Sequence, residues 1–271
     1  MRDDGADAAG LPRGTAGMRQ RNPSSGPRYG LARVLSKQGL CSRTVATRWV
    51  LAGRVAVHGR VVLNPEFPVP AQDLGSVSID GRALRPPEGV YLMLNKPRGL
   101  VTTTTDEQGR ETVYRCFDGA GLGWIAPVGR LDKASEGLLL FTNDPGWAAR
   151  ITDPATGPHK RYHVQVDELP DAAVLRTLET GVDCDGERLQ ATGARLLRSG
   201  GRNAWLEIVL AEGRNRQIRR LMAACGLRVL RLVRVAIGDL ALGQLGKGQW
   251  RRLEAAEITL LAGIDWSPPA A

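Results

Sequence analysis

Apolar positions along this chain recur at two periods, and the changes of period mark out its elements. Leu31, Val34 and Leu35 have helical spacing. Gly39-Leu40-Cys41-Ser42 interrupts that helix. Ser42 is placed to cap a second one, which carries Val45, Trp49 and Val50 and ends at Gly53. Val55-Ala56-Val57, a His58-Gly59 turn and Val61-Val62-Leu63 predict a short hairpin, and Gly75-Ser76-Val77-Ser78-Ile79 follows. Beyond a proline-containing stretch, Tyr91 to Asn95 reads as a strand, with Lys96-Pro97-Arg98-Gly99 turning out of it into a polar loop over 102–110. The uninterrupted apolar run Leu138-Leu139-Leu140-Phe141 lies between Gly137 and Asp144-Pro145-Gly146, which predicts a buried strand. Pro145 then starts a short helix through Ile151, and Lys160 to Val166 alternates as a strand. A helix with proline in its first turn is expected over 170–180. Strands near 191–198 and 204–210, a basic helix over 212–225, a long alternating strand over 228–237 and a short helix near 253–261 complete the chain. Several hairpins and few helices in mixed order predict an α+β fold with a mainly antiparallel sheet, not a doubly wound one.

Composition changes this picture at the ends and in the charge. Residues 1–27 are rich in Gly, Pro, Ala, Arg and Asp with little to bury, so they are expected to be a disordered tail. The 271 residues suit one large domain, or a medium and a small one. The net charge of +9 points to polyanionic partners, and it is clustered. Arg28, Arg33, Lys37, Arg43, Arg48, Arg54 and Arg60 fall in one block without any acid. Arg214, Arg216, Arg219, Arg220, Arg228, Arg231 and Arg234 fall in another, against Glu212 alone. Two such blocks suggest two contact surfaces for nucleic acid. Cys41, Cys116, Cys184 and Cys225 form no Cys-x-x-Cys pair and have no His at ligand spacing, so reduced thiols and no bound metal are expected. No apolar segment is long enough to span a bilayer and the N-terminus lacks the apolar core of a signal peptide, which predicts a cytoplasmic protein with no membrane partner.

The candidate chemistry centres on Gly129-Arg130-Leu131-Asp132, running on through Lys133-Ala134-Ser135-Glu136-Gly137 into the buried strand. An Asp in a loop at the mouth of such a strand is held rigidly and still reaches a ligand. From these residues alone, a turn cap or a pair with Arg130 accounts for Asp132, and Tyr162 on its strand reads as packing. The longer string closely resembles the catalytic motif of the pseudouridine synthases, in the ribosomal-RNA group named for RsuA. Two further motifs follow in that family's order: Lys160-Arg161-Tyr162, and Gly213-Arg214-Asn215-Arg216-Gln217-Ile218-Arg219-Arg220. Asn95-Lys96-Pro97-Arg98-Gly99 is similar to the opening of the family's catalytic domain.

The resemblance implies a reaction that breaks the bond from uracil N1 to ribose, turns the base and joins C5 to the same sugar carbon. It needs no cofactor. It asks for a carboxylate near the anomeric carbon, a cation that keeps it ionised and placed, a flat group to stack on the extruded base, and an apolar wall against water. Carried over by motif, Asp132 is the catalytic carboxylate, Tyr162 stacks on the base and helps to move the C5 proton, and Arg219 pairs with Asp132. Arg130 orients RNA or fills the gap left by flipping. Leu232 contacts the target nucleotide, and Arg214 and Arg216 lie beside the substrate. The loop 144–159 departs from the pattern in carrying few cations, which puts its contact to RNA in doubt.

The two helices and hairpin near the N-terminus resemble the S-four-type RNA-binding domain. A DNA-binding helix-turn-helix shares the two short helices and the arginines, but the hairpin directly after the second helix favours the RNA module. In it Arg33, Lys37, Arg43, Arg48 and Arg54, with Ser42 helping, are expected to grip RNA. The expected organisation is a tail over 1–27, this module over 28–84, a linker over 85–89 and a catalytic domain over 90–265. The resemblance implies a monomer acting on ribosomal RNA or a pre-ribosomal particle, and the catalytic half is more similar to members acting on the large subunit. A non-catalytic ribosome-assembly factor and a simple N-glycoside hydrolase are the rival readings.

Overall fold

The computed structural model describes residues 28–104 and 106–263. The tail expected over 1–27 lies outside them. The chain opens with β1 (Arg28–Gly30), α1 (Leu31–Lys37), α2 (Arg43–Leu51), β2 (Val55–Val57), β3 (Arg60–Val61), β4 (Pro68–Pro70), β5 (Val77–Ile79) and β6 (Arg82–Ala83). β1 pairs with β4, and β3-β2-β5-β6 form a small antiparallel sheet. Leu31, Leu35, Ala46, Val50, Val55 and Val77 bury the face these elements share. Ser42 caps α2 as expected, its hydroxyl accepting from Val45 N at 3.2 Å. Gly53 adopts φ +70° just past the helix, where its N–H reaches Val50 O at 3.0 Å.

The larger unit comprises β7 (Tyr91–Lys96), β8 (Ala126–Val128), β9 (Glu136–Thr142), α3 (Pro145–Thr152), β10 (Lys160–Val166), α4 (Ala172–Thr180), β11 (Val182–Cys184), β12 (Glu187–Leu189), β13 (Gly193–Gly200), β14 (Asn203–Leu210), α5 (Gln217–Ala224), β15 (Val229–Ile237), β16 (Leu240–Ala241), β17 (Trp250–Arg252) and α6 (Ala255–Ala262). One mixed sheet runs β13-β14-β10-β15-β9-β7-β17, with β8 on β9 and β16 on β15. Its pairings are antiparallel except where β15 meets β9 in parallel, Val233 opposite Glu136 and Arg234 opposite Gly137. Both faces are covered. Leu92, Leu94, Leu139, Phe141, Val164 and Leu206 face one core, while Met93, Leu138, Leu140, Trp147 and Ile151 face the other. That two-sided burial is why β9 reads as a continuous apolar run. No described helix is long and apolar enough to cross a membrane.

Four local expectations need correction. The helix expected over 212–225 begins only at Gln217, because Arg216 takes a left-handed conformation at φ +47° and 212–216 is a turn. Pro170 is not in the first turn of α4: that helix starts at Ala172 and is capped by Asp171, which accepts from Val174 N at 2.8 Å. Lys96 ends β7 rather than starting a turn. The outer strand of the first hairpin is confined to Arg60–Val61, since Asn64-Pro65 draws the chain away.

The small unit is seated on the large one through Gly39. At φ +71° this residue brings the turn between α1 and α2 against the main chain of Asn143, and a Cβ there would lie 2.2 Å from the Asn143 carbonyl oxygen. The Asn143 side chain holds the incoming segment, accepting from Val90 N at 2.8 Å and donating to Glu88 O at 2.9 Å.

Candidate active site

The turn before β9 is fastened from beneath by the chain at 96–102. Ser135 N closes it onto Asp132 O at 2.9 Å, and Gly99 N reaches Lys133 O at 2.8 Å. Thr102 donates its hydroxyl to Leu131 O at 2.7 Å. Lys96 is fully buried and donates its ammonium to Ser135 O at 2.8 Å and to Asp132 O and Pro97 O, both at 3.2 Å. Burial pushes the Lys96 ammonium down to about 8, although Asp132 and Glu136 pull the other way. Apart from the Lys96 bond to Pro97 O, each of these bonds takes a main-chain carbonyl or amide of the turn. The Asp132 side chain stays exposed, with no hydrogen bond or ion pair to a described residue.

The parallel seam behind the turn is tight. Gly137 sits at φ +101°, and a Cβ on it would lie 2.2 Å from Arg234 O. Glu136, next to it, is buried and grips Arg231 Nε and Nη2 at 3.1 Å each and Lys247 Nζ at 2.7 Å. Burial pushes the Glu136 carboxyl up, but the two cations outweigh burial and hold it below the usual glutamate value.

In front of the turn lies an open cavity of about 780 Å³. Asp132, Arg130, Tyr162, Leu232, Arg214, Arg216 and Arg219 all line it, so the three sequence motifs converge on one space. Tyr162 is buried at the centre of β10, opposite Arg234 of β15. Leu232, also buried, faces Val164 of β10 in the same register. α5 packs Ile218, Leu221 and Met222 inward and so turns Arg219 toward the turn. Arg220, its neighbour, is taken up elsewhere by Glu187 at 2.7 Å and Cys184 O at 2.7 Å.

The expected pair between Arg219 and Asp132 is not closed. Arg219 Nη2 donates to Ala134 O at 3.3 Å instead. Burial, and then repulsion from Arg216 and Arg98, hold Arg219 below the ordinary arginine value, partly offset by the attraction of Asp132. Because Asp132 is exposed, removing Arg219 would not strand a buried carboxylate.

Most of the second basic block is paired with acids of the same chain, although Arg214, Arg216 and Arg228 stay exposed. Arg214 pairs with Glu212 at 2.9 Å, Arg228 with Asp167 at 3.1 Å, and Arg231 with Glu136 as above. Arg234 is buried. In the small unit Arg43 pairs with Glu66 at 3.1 Å, and Arg54 pairs with Asp80 at 2.5 Å while lying over the Trp49 ring. Arg33 and Lys37 stack over Tyr29 and remain exposed, and Arg48 lines a groove shared with residues 117–125 of the large unit. Lys96, Glu136 and Arg234 were missed as site residues. Lys96 was visible inside the Asn-Lys-Pro string. The pairing of Glu136 with Arg231 left no local trace. Among the described residues no group of three or more His, Cys, Asp or Glu could hold a metal ion.

Comparison with known proteins finds two matching family models and similar chains. The family described as RNA pseudouridylate synthase matches residues 90–224, and the S4 domain matches residues 30–74. An uncharacterized RNA pseudouridine synthase of Aquifex aeolicus is 35% identical over 246 residues, covering 87% of this chain and 96% of that protein. The ribosomal large subunit pseudouridine synthase B of Salmonella typhimurium is 35% identical over 246 residues, covering 88% of this chain and 84% of that protein. A solved structure described as the crystal structure of pseudouridylate synthase superposes with a TM-score of 0.59 at 31% identity, covering 85% of this chain and 98% of the other.

Proposed function

The chain belongs to the RNA pseudouridine synthase family, and on that premise we propose that it isomerises a specific uridine of ribosomal RNA, with Asp132 as the catalytic carboxylate. The observation that carries the assignment is the convergence of Asp132, Tyr162, Leu232 and Arg219 on one cavity from four separate elements. The target nucleotide leaves its stack and enters that cavity, where its uracil lies against the Tyr162 ring and Leu232 shields it from water. Asp132, rigid in its backbone and free in its side chain, either attacks C1′ as the N1–C1′ bond breaks or takes a proton from the sugar. The uracil, released as its N1 anion, turns; C5 bonds to C1′ as the Asp132–C1′ bond breaks or as Asp132 returns the sugar proton; the C5 proton then leaves with help from the Tyr162 hydroxyl, and N1 takes up a proton. Arg219 supplies positive charge beside the carboxylate and closes on it when substrate binds. Arg130, Arg214 and Arg216 face the RNA at the cavity mouth.

The large-subunit RNA is the favoured substrate, a reading supported by the name of the Salmonella relative. The S4 match supports RNA contact by the small unit, with Arg33, Lys37 and Arg48 as its available cations. Residues 28–84 are taken as that RNA-binding unit, 85–89 as the linker and 90–265 as the catalytic domain. The enzyme works as a cytoplasmic monomer without a cofactor.

The test is pseudouridine mapping of ribosomal RNA from a deletion strain, its parent, and the deletion strain carrying Asp132→Asn. One site should vanish in the deletion strain and stay absent with the Asn variant, while binding of that RNA by the variant stays within about threefold of the parent protein. Restoration of the site by Asp132→Asn would show that Asp132 is only a turn residue.

A further inference from the structure

The cavity holds a cationic pair that the isomerisation chemistry described above does not use. Lys160 and Tyr162 lie two residues apart on β10, on either side of an irregularity between Arg161 and Tyr162, and both line the cavity. Arg234 is the direct cross-strand partner of Tyr162 and lines the cavity as well. Cross-strand neighbours have Cα atoms about 5 Å apart, so Arg234 and Lys160 flank the ring expected to carry the base.

Arg234 is only 5% exposed. Its Nε donates to Leu138 O at 2.7 Å, but its Nη2 is the one buried side-chain nitrogen or oxygen, among the described residues, without a hydrogen-bond partner. Neither Arg234 nor Lys160 makes an ion pair with a described carboxylate. Two carboxylates stand on the cavity wall: Asp132 makes no ion pair with a described residue, and Glu212 is already held by Arg214 at 2.9 Å and by Gln217 at 3.1 Å. Burial, and then the charge of Arg234, hold Lys160 below the ordinary lysine value, as expected for two cations sharing a site without an anion between them.

An unpaired buried guanidinium costs several kcal/mol unless a partner arrives. A uracil carbonyl would satisfy one N–H but neutralise neither charge. A phosphodiester carries a full negative charge and several acceptor oxygens, and it suits both a guanidinium and a flexible ammonium. The ring of Tyr162 sits beside the pair, so a nucleotide stacked there brings its own phosphates within reach. Resting on the isomerase reading, we propose that Lys160 and Arg234 form an internal seat for one backbone phosphate of the nucleotide being isomerised. The seat discriminates a nucleotide within a chain from a free nucleoside, and it pulls the flipped nucleotide inward from the arginines at the cavity mouth.

The test uses the full chain with uridine 3′,5′-bisphosphate and uridine as probes, titrated by calorimetry. The bisphosphate should bind at least about tenfold more tightly than uridine, and Lys160→Gln should cut that ratio to about threefold while leaving uridine affinity unchanged. Thermal unfolding of the variant confirms that it is folded, and Lys160→Arg should restore the ratio. Equal binding of the two probes, binding of neither, or a ratio unmoved by Lys160→Gln overturns the seat. In parallel, tritium release from ribosomal RNA labelled at uridine C5, taken from the deletion strain, reads the isomerisation itself. Lys160→Gln should raise KM about tenfold with little change in kcat, and lower the slope of log KM against log salt by about 0.7, the share of one phosphate contact on a single strand. No tritium release by the unaltered protein, with the probe ratio intact, would sink the isomerase reading and leave the seat standing. Release together with an unmoved ratio would remove the seat alone.

Discussion

Lys96→Met should leave the fold largely standing and remove most of the activity. The substitution keeps the length and apolar body of the side chain but deletes an ammonium that holds three carbonyls, Pro97 O, Asp132 O and Ser135 O, at 2.8 to 3.2 Å. Hydrogen bonds to a charged group contribute about 1.5–3 kcal/mol each, so their loss costs at least about 4 kcal/mol. Against that stands relief from burying the charge. An ammonium held near 8 against an unfolded value of about 10.5 corresponds to about 3 kcal/mol of unfavourable burial. The balance is a net destabilisation of about 1–2 kcal/mol, visible as a modest fall in the urea midpoint. The effect on turnover should be far larger, because two of the freed carbonyls, Asp132 O and Ser135 O, belong to the turn that carries Asp132, and a shift of about 1 Å in a reacting group costs about 100-fold.

The same residue makes a prediction about pH. The folded value lies below the unfolded one, so the unfolded chain binds more protons between about pH 8 and 10.5. The burial penalty is fully present below about pH 8 and is relieved as pH rises through that window, which makes the parent protein gain stability relative to Lys96→Met. Parallel urea titrations at pH 7 and pH 10 measure the difference, and single-turnover tritium release measures activity. Turnover within threefold of the parent, or a stability difference that does not change with pH, would refute the role given to Lys96.

The other expectations concern the seam, the cation beside the turn and the small unit. Gly137→Ala should cost about 3 kcal/mol or more, because its Cβ would lie 2.2 Å from Arg234 O at a φ of +101°; a urea midpoint equivalent to less than 1 kcal/mol would contradict the close approach. Arg219→Ala should lower kcat about 100-fold with little change in thermal stability, since the residue makes a single described hydrogen bond, and Arg219→Lys should recover part of the loss. Replacing Arg33, Lys37 and Arg48 together by Gln should reduce the salt slope of RNA binding by about 2, at ~0.7 for each phosphate contact; an unchanged slope would mean that these exposed cations do not touch RNA.

The sequence made the site's parts visible where the signal was local. Gly137 and Asp144-Pro145-Gly146 bounded the apolar run that lies within β9; Asp144, not singled out in the sequence as a cap, caps α3, accepting from Gly146 N at 2.8 Å and Trp147 N at 3.0 Å. Asp132, Tyr162, Leu232 and Arg219 could be named from the family resemblance, the first, second and last of them by its three motifs, and they line one cavity. Charge was the poorer guide. Counting arginines between 212 and 234 suggested a surface; Arg214, Arg216 and Arg228 are exposed, but Arg228 and Arg231 are paired across the fold and Arg234 is buried. The partner of Arg231 lies 95 residues away in sequence, between Ser135 and Gly137, and no local pattern reveals such a pair. The start of α5 was misplaced for a related reason. Gln217 folds back to accept from Arg214 N at 3.1 Å and to donate to Glu212 at 3.1 Å, so 212–216 closes as a turn in which helical periodicity has no meaning.

On the function proposed above, with RNA held on the exposed face of α1, the absence of a side chain at Gly39 would bear on which uridine is chosen. With the turn between α1 and α2 pressed onto the Asn143 main chain, and with Asn143 also clasping the segment at 88–90, the small unit rests on the end of the strand that begins at the catalytic turn. The connection therefore works as a gauge rather than a tether. RNA held on the exposed face of α1 offers the cavity only those nucleotides whose path matches a fixed span along β9. A flexible string would instead present many uridines at a diluted effective concentration. Target choice on such a scaffold is a matter of distance as much as of base identity, and even one methyl group at position 39 would reset the scale.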